Sequence, residues 1–189
     1  SVQSDTLGVV RTRAGSVVIT RPTRMAPAVF HLCCRWLRQN CPDIYKIPFP
    51  FTSISVNYGY AARKHRDVYN AGPSVLKTFG EFTGGHLLYW PDDDGQADVW
   101  AHPESRARCF DAKREMLLFD GLRCHCVTPF EGERYSLVFF NGERVPQSAG
   151  RHGRVPLQFG FGLADGRECL LFSFSALSTD RNIQEHSID

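Results

Sequence analysis

The sequence predicts a mainly β fold (α+β overall), a sandwich or barrel of the jelly-roll kind, with an N-terminal hairpin and at least one supporting helix. Three observations predict it. Short alternating or apolar runs separated by turn residues crowd the stretch 52–141, about eight of them, the number a jelly roll uses. A single helical stripe precedes them. And 189 residues, 42% hydrophobic and 22% charged, are enough to bury one core in one domain.

Taken in order, Val9-Val10-Arg11-Thr12 and Ser16-Val17-Val18-Ile19-Thr20 read as strands joined at Ala14-Gly15. Pro22 and Pro27 bracket a break. Val29, Phe30, Cys33, Trp36 and Leu37 then recur at helical spacing, which predicts an amphipathic helix from about Pro27 to Asn40, stopped by Pro42. From Thr52 the period changes to two: Ile54, Val56 and Tyr58 alternate with Ser53, Ser55 and Asn57. Further strands are expected at 74–79, 86–90, 98–102, 108–110, 115–119, 123–128 and 135–140. Turns fall between them at Gly72-Pro73, Gly84-Gly85, Asp92-Asp93-Asp94-Gly95, Asp120-Gly121 and Glu131-Gly132. In the tail, 157–161 and 169–174 suit strands, and the end after Ser178 reads as disordered. The expected organisation within one domain is a hairpin and helix over 1–51, a β core over 52–141 and an extension over 142–189.

A net charge of +2 is too small to argue nucleic-acid binding from balance alone. No stretch is long or apolar enough to span a bilayer, and no charged-then-apolar leader opens the chain, so no membrane partner is expected. The first residue is serine rather than methionine, which suits a piece of a longer protein. Seven cysteines are an odd number without the rhythm of a disulfide framework. They read as reduced, mostly buried thiols, and point to an intracellular compartment, nucleus or cytoplasm.

The chemistry concentrates at His65-Arg66-Asp67. Alternate residues of an extended segment point the same way, so His65 and Asp67 can reach one metal together. His125 lies in a later apolar strand, with Cys124 and Cys126 on its opposite face. Two imidazoles and one carboxylate make a facial triad that leaves three sites of an iron(II) ion open for cosubstrate and oxygen. Arg134, one hairpin further on, offers a planar fork to a carboxylate, and Ser136 shares its strand face. Each of these residues taken singly also suits a surface ion pair or a core histidine, and the donor set suits zinc, though zinc has no need of Arg134 and Ser136. Asn57 and Tyr58 are candidates to bond the cosubstrate or are plain strand residues. Arg63, Lys64 and Arg66 crowd the first ligand, either to hold a substrate phosphate or as a solvated loop. Asn70 is a polar residue of the site or a turn former. His86 and His102 read as strand residues, and Tyr89, Trp90 and Trp100 as core or rim aromatics.

The order HxD, second histidine, Arg-x-Ser resembles the iron(II)- and 2-oxoglutarate-dependent dioxygenases, over about 52–141. Within them, His65-Arg66-Asp67-Val68-Tyr69-Asn70, Phe79-Gly80-Glu81-Phe82-Thr83-Gly84-Gly85-His86-Leu87 and Pro129-Phe130-Glu131-Gly132-Glu133-Arg134-Tyr135-Ser136 look like the thymine- and methylcytosine-hydroxylating TET and JBP branch with its algal and fungal relatives. His86 stands where that branch has an acidic residue. The resemblance implies a double-stranded β-helix with the helix on its outer face. It implies Fe(II) on His65, Asp67 and His125, and 2-oxoglutarate on Arg134 and Ser136 with Asn57 and Tyr58 nearby. O2 is then the second cosubstrate, with ascorbate as reductant. The implied reaction hydroxylates an unactivated C–H and releases succinate and CO2. The implied substrate is a methylated or thymine base of nucleic acid, met by Arg63, Arg66 and Asn70. A peptidyl side-chain hydroxylase is the alternative within this chemistry, and a non-catalytic jelly-roll binding module is the alternative outside it.

Overall fold

Strict alternation along four strands sorts side chains onto the two faces of one sheet, and the two faces have different fates. In the computed structural model, which describes residues 2–40, 49 and 51–142 and the backbone of 159–162 and 169–172, the chain begins with β1 (Gln3–Arg11), β2 (Val17–Ile19), α1 (Arg21–Met25) and α2 (Pro27–Asn40). There follow β3 (Ser53–Tyr58), β4 (Ser74–Phe79), β5 (Phe82–Gly84), β6 (Leu87–Tyr89), β7 (Arg108–Phe110), β8 (Leu117–Phe119), β9 (His125–Val127), β10 (Phe130–Gly132) and β11 (Tyr135–Phe140). A six-stranded sheet runs β2-β1-β3-β11-β4-β8, every pairing antiparallel, and is accompanied by a three-stranded sheet β7-β6-β9 and the pair β10-β5. This is the mainly β, jelly-roll-like architecture the strand spacing predicts.

Leu7, Ile54, Val75, Leu137 and Phe139 lie on the outer face of the large sheet, where the helical stripe Cys33, Cys34 and Leu37 closes over them with Phe30 and Trp36. Burying such side chains contributes about 1.5–3 kcal/mol each, which holds α2 on the sheet. Val18, Val17 and Ile19 of the edge strand β2 stay exposed. On the inner face, Leu76, Leu117, Phe119 and Val138 meet Leu87, Tyr89 and Phe110 of the small sheet. One-residue steps decide these allegiances: Val75 belongs to the helix side and Leu76 to the inner side, and likewise Leu137 and Val138. Leu76, Leu87, Phe119 and Val138 of this layer also line the cavity described below.

Three local expectations differ from the structure. Residues 98–102 form a short 3-10 turn over Val99–Ala101 rather than a strand, because the Asp98 carboxylate accepts from the Trp100 amide (2.8 Å) and caps it. The two glycine turns at 84–85 and 131–132 include real strands, β5 and β10, which pair with each other. Their glycines hid them: at Gly84 and Gly132 the opposing backbone comes so close that no Cβ fits. Pro22 sits inside α1 rather than in a break, since a first-turn proline loses no hydrogen bond and Thr20 caps the helix. A second unit, Ser148–Asp189, contains the antiparallel pair β12 (Phe159–Gly162) and β13 (Cys169–Phe172), which overlap the two tail strands expected; the disorder expected after Ser178 falls outside the described residues.

No helix among the described residues is long and apolar enough to cross a membrane. Cys33, Cys34, Cys109, Cys124 and Cys126 are free thiols.

Candidate metal centre and cavity

The segment carrying His65 runs beside the strand carrying His125 as an isolated bridge: the His65 amide donates to the His125 carbonyl (3.0 Å) and the His125 amide donates back (3.0 Å). Two histidines are thereby set side by side, their rings 4.2 Å apart between centroids. Asp67 follows two residues on, with its amide on the Gly121 carbonyl (2.8 Å). His65 Nε2 lies 3.3 Å from Asp67 Oδ1, and His125 Nε2 lies 3.8 Å from Asp67 Oδ2. One donor atom from each of the three falls within 4.8 Å of the others, and they form the one such metal-competent group among the described residues.

The tautomers favour coordination. His65 Nδ1 is 2.7 Å from the Arg63 carbonyl, and His125 Nδ1 is 2.8 Å from the Arg123 carbonyl. A carbonyl has no proton to give, so each Nδ1 is the donor and each Nε2 lone pair is left facing Asp67. Without a metal, a second proton on His65 Nε2 can donate to Asp67, which raises the His65 pKa against its partial burial, whereas burial and the neighbouring His65 lower that of His125. Asn70 Nδ2 donates to Asp67 Oδ2 (3.1 Å) and to Ser74 Oγ (3.3 Å), which fixes the carboxylate plane. At Gly121 an added Cβ would stand 2.7 Å from Asp67 Oδ2, so the glycine makes room for that carboxylate.

These three residues share a cavity of about 430 Å³ with Asn57, Asn70, Arg134 and Ser136. Its apolar walls include Leu76, Leu87, Phe119, Val127 and Val138. Arg134 is only 2% exposed. Nη1 donates to the Tyr60 carbonyl (3.1 Å); among the described residues Nε has no partner and the guanidinium meets no carboxylate. Burial pushes its pKa down to about 10, so it remains charged at neutral pH. Phe82 and Phe130 flank the cation, with ring centroids 5.6 and 5.5 Å from Cζ. Beside it, Ser136 Oγ accepts from Asn57 Nδ2 (3.1 Å), and Ser4 Oγ donates to Asn57 Oδ1 (2.6 Å). A buried cation that lines a walled cavity and has no carboxylate beside it among the described residues suits an anion.

Seven of the residues singled out in the sequence therefore meet here: Asn57, His65, Asp67, Asn70, His125, Arg134 and Ser136. Tyr58 does not line the cavity, because strand alternation turns it to the far face, where its ring lies 4.8 Å from that of Tyr135. Arg63 is exposed, and Arg66 is committed to the Asp93 carboxylate at 2.6 Å; neither lines the cavity. His102 also lies on Asp93 (3.2 Å), and Trp90 is buried with its indole N–H on the Pro103 carbonyl (2.9 Å). Trp100 is exposed. Sequence reasoning misses Tyr60 and Phe82 and reads Gly85, Asp93 and Gly121 only as turn residues, although Phe82 and Gly85 lie in the run Phe-Thr-Gly-Gly that carries the resemblance.

The donor set fits iron(II): two imidazoles and one carboxylate whose donor atoms converge in one cavity. It fits zinc equally, and what separates the two is Arg134 in the same cavity, a buried cation with no carboxylate partner among the described residues, which a bare zinc centre leaves unexplained.

No protein-family model matches the chain, and no curated protein does. Among solved structures, OsALKBH1 is similar at 18% identity over 75% of this chain and 78% of that chain, with a TM-score of 0.44. An oxidoreductase of the 2OG-Fe(II) oxygenase family from Burkholderia pseudomallei is similar at 17% identity over 75% and 70%, with a TM-score of 0.46. Likeness at this level carries no weight for function beside the geometry of the site.

Proposed function

We propose that this chain is an iron(II)- and 2-oxoglutarate-dependent dioxygenase. The observation that carries the reading is a pairing within one cavity: a convergent His65–Asp67–His125 donor set, and a buried guanidinium, Arg134, that lacks an anionic partner among the described residues. A keto diacid has one end for each. Its distal carboxylate would be held by Arg134 with Ser136 alongside, and Asn57 would keep the Ser136 hydroxyl oriented. His65, Asp67 and His125 would hold the iron, which with O2 and the keto acid supplies the oxidising power for a C–H bond. The chain's own work is orientation and exclusion of water: Asn70 and Gly121 set the carboxylate, the carbonyls of residues 63 and 123 set the imidazoles, and Leu76, Leu87, Phe119 and Val138 keep the cavity apolar. Ascorbate would serve as the reductant that returns iron to its ferrous state.

For the substrate we favour a methyl group on a nucleic-acid base, flipped from its stack. The three motif runs that resemble the TET and JBP branch, apart from His86, support it. Of the substrate-facing candidates, Asn70 is on the cavity, whereas Arg66 serves Asp93 and Arg63 would act only from the surface. The test is to incubate iron-loaded protein with 2-oxoglutarate and methylated or thymine-rich DNA, measuring succinate and analysing nucleosides by mass spectrometry. Succinate coupled to an oxidised base is expected. Coupled turnover on peptides with no oxidised base would replace the nucleobase by a protein side chain, and no succinate with any substrate would leave a binding module.

A further inference from the structure

We propose that Asp93 is a positioning residue of the metal centre, a single buried carboxylate that holds both histidine-bearing segments in register. The inference rests on the metal-site reading of His65, Asp67 and His125.

Asp93 is far from those residues in sequence and is 2% exposed. Its Oδ2 accepts from Arg66 Nε (2.6 Å) and from the Cys124 amide (2.5 Å). Its Oδ1 accepts from Arg66 Nη2 (2.6 Å) and the Gly95 amide (3.0 Å), with His102 Nε2 at 3.2 Å. Arg66 is the residue between His65 and Asp67, and Cys124 immediately precedes His125. One carboxylate thus grips both ligand-bearing segments at adjoining residues. Extended backbone sends the Arg66 side chain to the side opposite His65 and Asp67, where it meets Asp93, whereas the Cys124 segment is held through its backbone amide.

The turn around Asp93 makes the grip firmer. Trp90 donates its amide to the Cys124 carbonyl (3.0 Å), and Arg123 Nη1 donates to the carbonyls of Pro91 and Asp93. Arg123 is also the residue whose carbonyl takes the His125 Nδ1 proton. The 91–95 turn therefore fixes Arg123 and Cys124 from outside while the backbone bridge fixes His65 and His125 to each other. A buried ion pair such as Asp93–Arg66 adds little net stability over an apolar substitute, because desolvation offsets its attraction. What it does supply is a fixed bidentate geometry, and here that geometry determines the spacing of three metal donors.

The test uses the full chain with cobalt(II) as the probe, read by its d–d absorption and by competition titration. Wild type is expected to bind one cobalt, and His65→Ala to lose it. Asp93→Asn is expected to bind at least about tenfold more weakly with an altered d–d band, within the range seen when partners of metal ligands are removed. Because Asp93→Asn leaves Arg66 uncompensated, the double variant Arg66→Gln/Asp93→Asn is measured beside it; a neutral amide pair keeps the fold and should show the same weakened affinity and altered band. Wild-type affinity and spectrum in either folded variant overturn the role of Asp93 while the metal centre stands. Cobalt binding that His65→Ala leaves unchanged overturns the metal centre itself, and this inference with it.

Discussion

Gly85 and Arg134 are packed so closely that no side chain fits between them: a Cβ on Gly85 would lie 2.8 Å from Arg134 Nε and 2.9 Å from its Cδ. The glycine also has φ +67°, a conformation that costs an L residue about 1–2 kcal/mol. A backbone turn thereby sets the depth at which a cation is buried.

Gly85→Ala is expected to lower the melting temperature by several degrees and to weaken 2-oxoglutarate binding by about tenfold or more, since strain and a displaced guanidinium act together. Thermal denaturation and calorimetric titration on the same variant separate the two effects.

Arg134→Met should move the two quantities in opposite directions. Removing a buried cation with an unsatisfied Nε relieves a desolvation penalty, so the ligand-free protein should be at least as stable as wild type. The diacid loses its charged partner, worth about 1.5–3 kcal/mol, so its affinity should fall by about tenfold to a hundredfold. Arg134→Lys keeps charge without the fork and should fall between. A stable variant that still binds 2-oxoglutarate like wild type would remove Arg134 from the anion seat.

Gly121→Ala adds a methyl group 2.7 Å from Asp67 Oδ2 at a backbone conformation open to any residue. The expected result is a weakened metal site in a folded protein: cobalt affinity down by about tenfold, with near-wild-type circular dichroism.

Stability should depend on pH through Asp93. Burial by itself would raise its pKa, but the Arg66 guanidinium and the amides of Gly95 and Cys124 outweigh that and hold it well below the usual carboxylate range. A depressed folded-state pKa means the unfolded chain takes up the proton first as pH falls. The contribution is therefore whole above about pH 4, the ordinary range for aspartate, and is lost progressively below it. Wild type should lose melting temperature steeply between about pH 4 and pH 2, and Arg66→Gln/Asp93→Asn should show a shallower slope over that window. Equal slopes would mean that other carboxylates carry the acid response.

Much of the site could be read from the chain because its parts are short-range. His65 and Asp67 share a face by strand period alone, and Ser136 stands two residues from Arg134 for the same reason. The same period also separates Asn57 from Tyr58, yet nothing local says which of the two faces inward. That was decided by α2, whose stripe of Cys33, Cys34 and Leu37 claimed the face bearing Ile54 and Phe139 and left Asn57 to the cavity. Arg66 illustrates a second limit: next to two ligands its charge suggested a substrate contact, but a carboxylate 27 residues away took the guanidinium.

The sequence by itself determined the mainly β architecture and the helix at Pro27–Asn40, and it singled out His65, Asp67, His125 and Arg134 as the candidate site, because periodicity and residue chemistry are local properties. Tertiary structure alone decided that β5 and β10 pair, that Gly85 and Gly121 make space for Arg134 and Asp67, and that Asp93 joins the two histidine segments. Those are contacts between residues distant along the chain. They depend on atoms approaching to within a few ångströms, and only the closed fold fixes such distances.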